Sequence, residues 1–238
     1  MKRSLLFLGF CAVLTGCDWM PGKPDEKVDK WRPPTAITDF HELYRENCQG
    51  CHGDGKLVAG AISLDNPTYL AVVPEATLRK VIAEGIPGTL MPPFSQAKGG
   101  MLTEEQVDII VKGLLAWRQP LPAGTSLPPY SAPPGDATRG EALYKAYTDA
   151  IAKAGGEKML GDGFYTNPAF LGLVTDQYLR TLIIAGRPEL GIPDYRKVIP
   201  GRPLSDEDIS DIVAWLISKR ENEFGQPLSP DSVNTQIP

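Results

Sequence analysis

Near residue 50 the chain reads ENCQGCHGDG, with two thiols three residues apart, Cys48 and Cys51, and an imidazole directly after the second, His52. A three-residue step on a helical turn brings both sulfurs to one edge of a planar ligand, and the next side chain then projects beneath its centre. C-x-x-C-H is the spacing of c-type haem attachment, in which the thiols add across the two vinyl groups of the porphyrin and the histidine meets the iron. Gly50, between the cysteines, leaves room for the macrocycle to approach the backbone. Two other chemistries use similar residues. A structural zinc site takes four ligands, and beyond the leader the only further histidine is His41. A thioredoxin-like dithiol sits in a βαβ context, and no such pattern surrounds these residues.

A haem that carries electrons takes a second axial ligand. Downstream, GTLMPPF offers Met91, a soft thioether in a proline-braced loop, and Met/His ligation raises the iron's potential. A lone methionine is usually core filling; its position in a loop between two helical patterns singles Met91 out. Met101 is the reserve candidate. His41 is weaker, since it lies near the start of the first predicted helix and is expected to face solvent.

The elements that must position these residues follow from the whole chain of 238 residues. Net charge is −5, which excludes a clustered basic face for nucleic acid. Residues 1–16 read as a leader: Lys2 and Arg3, then a short apolar stretch over residues 5–14, ending in Leu14-Thr15-Gly16-Cys17. That ending resembles the lipobox of bacterial lipoproteins and implies cleavage before Cys17 with acyl chains on the new N-terminus. At about 0.8 kcal/mol per buried CH₂, more than one chain is needed for stable anchoring. The expected location is the periplasmic side of a bacterial membrane, with Asp18 favouring the cytoplasmic membrane over the outer one. Cys11 leaves with the leader and Cys17 takes lipid, so Cys48 and Cys51 are the thiols left for chemistry.

Residues 17–37 read as a tether, and residues 119–137, with six prolines, as a second extended linker. The segments on either side are copies. NPTYLAVVPEATLRKVIAEGIPGTLMPPF from Asn66 recurs as NPAFLGLVTDQYLRTLIIAGRPELGIPDY from Asn167 at a constant offset of 101. Leu43-Tyr44 recurs as Leu143-Tyr144, and the helix from Leu102 as that from Leu204. Capping boxes are expected at Asp39 with Glu42 and at Thr138 with Glu141. Middle helices are expected over residues 75–84 and 176–185, ended by Gly85 and Gly186 in the left-handed conformation. The last helices place Val107, Ile110, Val111, Leu114 and Leu115, and their twins Ile209, Ile212, Val213, Leu216 and Ile217, on one face. The expected fold is all-α: a first domain over residues 38–118, a second over 138–222, and a tail over 223–238.

With those residues in place, the chain resembles the class I cytochrome c family. The family's first helix and C-x-x-C-H match residues 40–52, its methionine loop matches Met91-Pro92-Pro93-Phe94, and its last helix matches residues 102–117. The resemblance implies one covalent haem c, with thioether bonds from Cys48 and Cys51 and axial ligands His52 and Met91. The second copy keeps the frame without the ligands: no Cys or His occurs after His52, and Ile192 stands at the methionine position. Unfilled core volume costs about 24 cal/mol per Å³, so Tyr147, Ile151, Met159, Leu160, Phe164 and Tyr165 are expected to fill the space a haem would take.

The expected role is single-electron transfer between a redox protein donor and acceptor, or within a membrane respiratory complex, with the second copy as a docking or spacing module and no catalytic residues. The alternatives are a haem-based ligand binder or sensor, a peroxidase-like enzyme, or a mainly structural subunit. The first two need an open sixth position, which Met91 would fill.

Overall fold

The computed structural model describes residues 31–54, 60–153 and 163–220. The leader, Cys17, most of the first tether, Met159, Leu160, the Phe164 side chain and the tail over 223–238 lie outside the described residues. The chain divides into two compact units, residues 1–37 and 38–238. In the first, the described residues form one 3₁₀ turn over Pro34–Ala36. Both copies of the repeat lie within the second.

The fold is all-α. Nine α-helices run through the described residues of the second unit, with two isolated bridges and no strand among them. In the first half they are α1 (Phe40–Asn47), α2 (Gln49–His52), α3 (Pro67–Val72), α4 (Glu75–Glu84) and α5 (Glu104–Ala116). In the second half they are α6 (Ala137–Lys153), α7 (Pro168–Leu173), α8 (Asp176–Ala185) and α9 (Asp206–Ser218). Local chemistry explains the starts. The Asp39 carboxylate accepts from the Glu42 amide at 2.8 Å, which is the cap half of the expected box. Asn66 and Asn167 each accept from two amides of the following turn, with proline at its first position. Full reciprocal boxes stand at Thr103/Gln106 and Ser205/Asp208. The expected cap at Thr138 is corrected: helix α6 begins earlier, and the Asp136 carboxylate accepts from the Thr138 amide at 2.8 Å, placing Thr138 inside the first turn.

The same long-range bonds recur in both halves. Arg118 donates to the carbonyls of Leu70 and Val73, and Arg220 to those of Leu171 and Val174. Arg79 on α4 pairs with Glu104 and Asp108 on α5, while Arg180 on α8 meets Asp206 and Ser210 on α9. The buried stripes follow the predicted spacing, with Val107, Ile110, Val111 and Leu114 in one half and Ile209, Ile212, Val213 and Leu216 in the other.

At the seam between first and last helices the halves use opposite solutions. A Cβ on Gly113 of α5 would lie 2.1 Å from the Phe40 ring of α1, so a large residue on the first helix fits a glycine on the last. In the second half the glycine is on the first helix: a Cβ on Gly140 would lie 2.0 Å from the Asp211 carbonyl and 2.8 Å from Trp215 Cβ.

Residues 119–137 depart from the expected free tether. Proline excludes helix there, and the segment's carbonyls accept bonds from the second half: Tyr130 from Gln177 at 2.7 Å, Pro129 from Arg180 at 2.8 Å, and Ser126 from the Tyr195 hydroxyl. Pro128 is buried. The halves also touch each other directly, through the Asn66 amide group donating to the Ala185 carbonyl at 3.2 Å, Arg196 to the Thr68 hydroxyl at 3.3 Å, and Val72 packing in the second half's core. A swing of one half against the other about this linker would break these bonds.

In the second half Tyr147, Ile151 and Tyr165 sit in the core with Leu171, Leu179, Ile183 and Ile192, as the space-filling argument expected. Helix α6 runs on unbroken, so that Thr148, Ile151 and Ala152 stand where an offset of 100 places Cys48, Cys51 and His52. Tyr147 is fully buried, and its hydroxyl has no hydrogen-bond partner among the described residues. Tyr147→Ala is therefore expected to cost about 3–5 kcal/mol of stability, while Tyr147→Phe retains or raises it, because the lost hydroxyl satisfied nothing. Thermal melts of the two variants check the ordering.

Candidate functional site

Cys48, Cys51 and His52 are brought together by one tight turn. Helix α1 stops at Asn47, and the Cys48 carbonyl accepts from the amides of both Cys51 (3.2 Å) and His52 (3.0 Å). Beneath the turn the Tyr44 hydroxyl donates to the Gly53 carbonyl at 2.7 Å, fixing the exit of α2 to the buried face of α1. Cys48 is buried and Cys51 exposed, and both thiols are free. Burial, and then the neighbouring Cys51, push the Cys48 thiol up to about 12, so it is protonated at neutral pH. A Cβ on Gly50 would meet nothing within 4 Å, so the turn is open on that side.

His52 supplies the sharpest test of what this turn can hold. Its Nδ1 lies 2.8 Å from the Ile62 carbonyl. A carbonyl only accepts, so Nδ1 carries the proton and Nε2 keeps its lone pair, the arrangement second-shell partners impose on metal-binding histidines. Burial lowers the His52 pKa; the Ile62 bond opposes this, and the positive charge of Arg187 adds to the lowering. The imidazole is thus held neutral and oriented, with its free nitrogen ready to donate to iron. The strap that brings Ile62 there is tied back by the Ala61 amide donating to the Cys51 carbonyl at 3.0 Å.

Met91 lies on the loop between α4 and α5 and is half-buried. The loop is closed by the Ile86 amide donating to the Met91 carbonyl at 2.9 Å and by the Met91 amide donating to the Thr89 hydroxyl at 3.2 Å. Gly85, which ends α4, has φ +68° and ψ −167°. This is not the expected left-handed helical cap but an extended, positive-φ region open essentially to glycine alone. A Cβ there would lie 2.6 Å from backbone atoms of Pro92 and Pro93 and 2.7 Å from the Met91 carbonyl. The second half repeats this device: Gly186 lies against Ile192 and Pro193, and the Arg187 amide donates to the Ile192 carbonyl at 2.8 Å. There a fully buried Ile192 takes the methionine's place. Met101 is 75% exposed and His41 is exposed, so neither reserve candidate is held as Met91 is.

These residues fit haem c: a free thiol pair on one turn, an imidazole held through Nδ1 so that Nε2 keeps its lone pair, and a thioether on a constrained loop. Cys48 and Cys51 would hold the porphyrin edge, with His52 and Met91 as axial ligands. Among the described residues no group of three or more His, Cys, Asp or Glu side chains could hold a metal ion by itself. Three contributors escaped the sequence reading. The Ile62 carbonyl is backbone and leaves no side-chain signal. Tyr44 stood out in the sequence only as a position of the repeat, matched by Tyr144. Arg187 had a visible signal, a charged residue at the repeat position of the apolar Ile86.

Comparison with known proteins adds one finding. A family model described as cytochrome C oxidase, cbb3-type, subunit III matches residues 35–112, which contain Cys48, Cys51, His52 and Met91. No curated protein and no solved structure matches the chain significantly.

Proposed function

We propose, from the premise that residues 35–112 belong to the c-type cytochromes, that the chain is a membrane-tethered monohaem electron carrier passing single electrons between protein partners of a respiratory chain. The observation that carries this reading is the C-x-x-C-H turn whose histidine is oriented by the Ile62 carbonyl, with Nε2 left to donate. Haem c bound there supplies a ferric/ferrous one-electron couple. Cys48 and Cys51 would fix it to the chain, and His52 and Met91 would serve as its two protein ligands, which favours electron transfer over ligand binding or catalysis. The absence of Cys and His after His52 supports a single haem.

The finer parts of the reading rest on the sequence. The Lys2-Arg3 leader and Leu14-Thr15-Gly16-Cys17 support a lipid on Cys17 and a place on the periplasmic face of a bacterial membrane, the cytoplasmic one in preference. Partners are then redox proteins at that surface. The description of the matched family, an oxidase subunit, supports a place within a membrane redox complex as the second form of the same role.

The test is a mass and redox measurement on the chain purified from membranes. One porphyrin mass increment, a reversible positive midpoint potential and slow CO binding to the reduced protein are expected. A mass without the increment sinks the reading. Rapid CO binding would move it to a sensor or ligand binder.

A further inference from the structure

We propose that Arg187, from the half of the repeat that lacks haem ligands, is a positioning residue for His52: it anchors the strap over residues 60–62 and sets a cation on the histidine side of the haem site. The proposal rests on the haem reading above and adds a role for the second half within it.

Arg187 is a buried cation, its side chain 6% exposed. Burying a guanidinium is costly unless it is paired and fully bonded. The fold itself does not require it, because the equivalent position in the first half is Ile86. Its partners show where it is aimed. The Glu189 carboxylate accepts from Nε, the Tyr178 hydroxyl lies within hydrogen-bond reach, and Nη1 donates across to the Gly60 carbonyl at 3.3 Å. Gly60 begins the strap. Its next residue, Ala61, bonds the Cys51 carbonyl, and the one after, Ile62, accepts from His52 Nδ1. Three consecutive residues therefore connect Arg187, the cysteine turn and the histidine ligand. Downstream, Asn66 and Thr68 are bonded to Ala185 and Arg196 of the second half, so that half grips the segment at both ends. The guanidinium is thereby bonded two residues from the carbonyl that holds His52.

A cation beside the site disfavours the more positive oxidation state, so Arg187 favours ferrous over ferric iron; Glu189 offsets part of that charge. The test uses the full holo chain and three variants, with haem content read by mass. Arg187→Met is expected to lower the ferrous-to-ferric ratio at fixed potential several-fold. Glu189→Gln, which keeps the arginine, is expected to raise it. Arg187→Lys is expected to keep most of the ratio yet speed hydrogen exchange at the Ala61 amide, because the forked donor set is lost. Shifts of the same sign in Arg187→Met and Glu189→Gln, or no shift in either with haem intact, overturn the proposal. Should Arg187→Met fail to accumulate, the signs for Glu189→Gln and the exchange rate in Arg187→Lys decide it. A wild-type chain without haem instead overturns the function on which the proposal depends.

Discussion

Replacing Met91 by alanine is expected to lower the midpoint potential by on the order of 100 mV or more and to make the reduced protein bind CO rapidly. The thioether stabilises ferrous iron relative to ferric, and axial-ligand choice spreads haem potentials over roughly 0.8 V. The loop around Met91 is closed by its own backbone bonds to Ile86 and Thr89, which do not involve the side chain. The variant should therefore keep its fold and its covalent haem while losing one ligand. Met101→Ala supplies the control: that side chain is 75% exposed, and its removal should leave both potential and CO kinetics unchanged. Spectroelectrochemical titration of the two variants reads the difference. An unchanged potential in Met91→Ala would assign the sixth position to another group.

The second large effect is expected from Gly85→Ala. The substitution forces alanine into a positive-φ extended conformation, about 1–3 kcal/mol of strain, and drives its Cβ into backbone atoms of residues 91–93. Backbone cannot step aside as a side-chain tip can, so overpacking adds about 1–3 kcal/mol. The loop must move, and Met91 moves with it. Gly186→Ala makes the same collision against Ile192 and Pro193 in the other half and should cost similar stability. Only the first loop carries a proposed ligand, Met91. Both variants are thus expected to melt earlier, while only Gly85→Ala loses the spectrum of methionine ligation. If the two shared one optical spectrum, Gly85 would be no more than a fold residue.

Much of this molecule was legible in its sequence because the signals are local. The bounds of α4 and α8 fall at the residues expected from their periodicity and terminal glycines. The stripes of α5 and α9 were readable for the same reason. Thr138 misled because the competing cap, Asp136, stands two residues earlier and is itself gripped by Asp211 from a distant helix: its amide donates to that carboxylate at 2.6 Å. The prolines over residues 119–137 correctly excluded helix but said nothing of packing. A proline-rich segment keeps carbonyls that its own chain does not use, and Gln177, Arg180 and Tyr195 use them. At the site, Cys48, Cys51, His52 and Met91 are side-chain chemistry at readable spacing. The bond that selects the histidine tautomer comes from a backbone carbonyl ten residues away, which any residue at position 62 supplies.

The opposed seams, Phe40 against Gly113 and Gly140 against Trp215, bear on how a duplicated chain avoids assembling with itself in the wrong order. Tandem repeats are prone to exchange equivalent elements as they fold. Here α1 laid on α9 would press a phenylalanine onto a tryptophan, and α6 laid on α5 would leave two glycines facing a void. Each half thus recognises its own closing helix. A chain carrying Phe40→Gly with Gly113→Trp, which makes the two seams alike, is expected to refold with exchanged or dimeric species visible by gel filtration where the parent gives one peak.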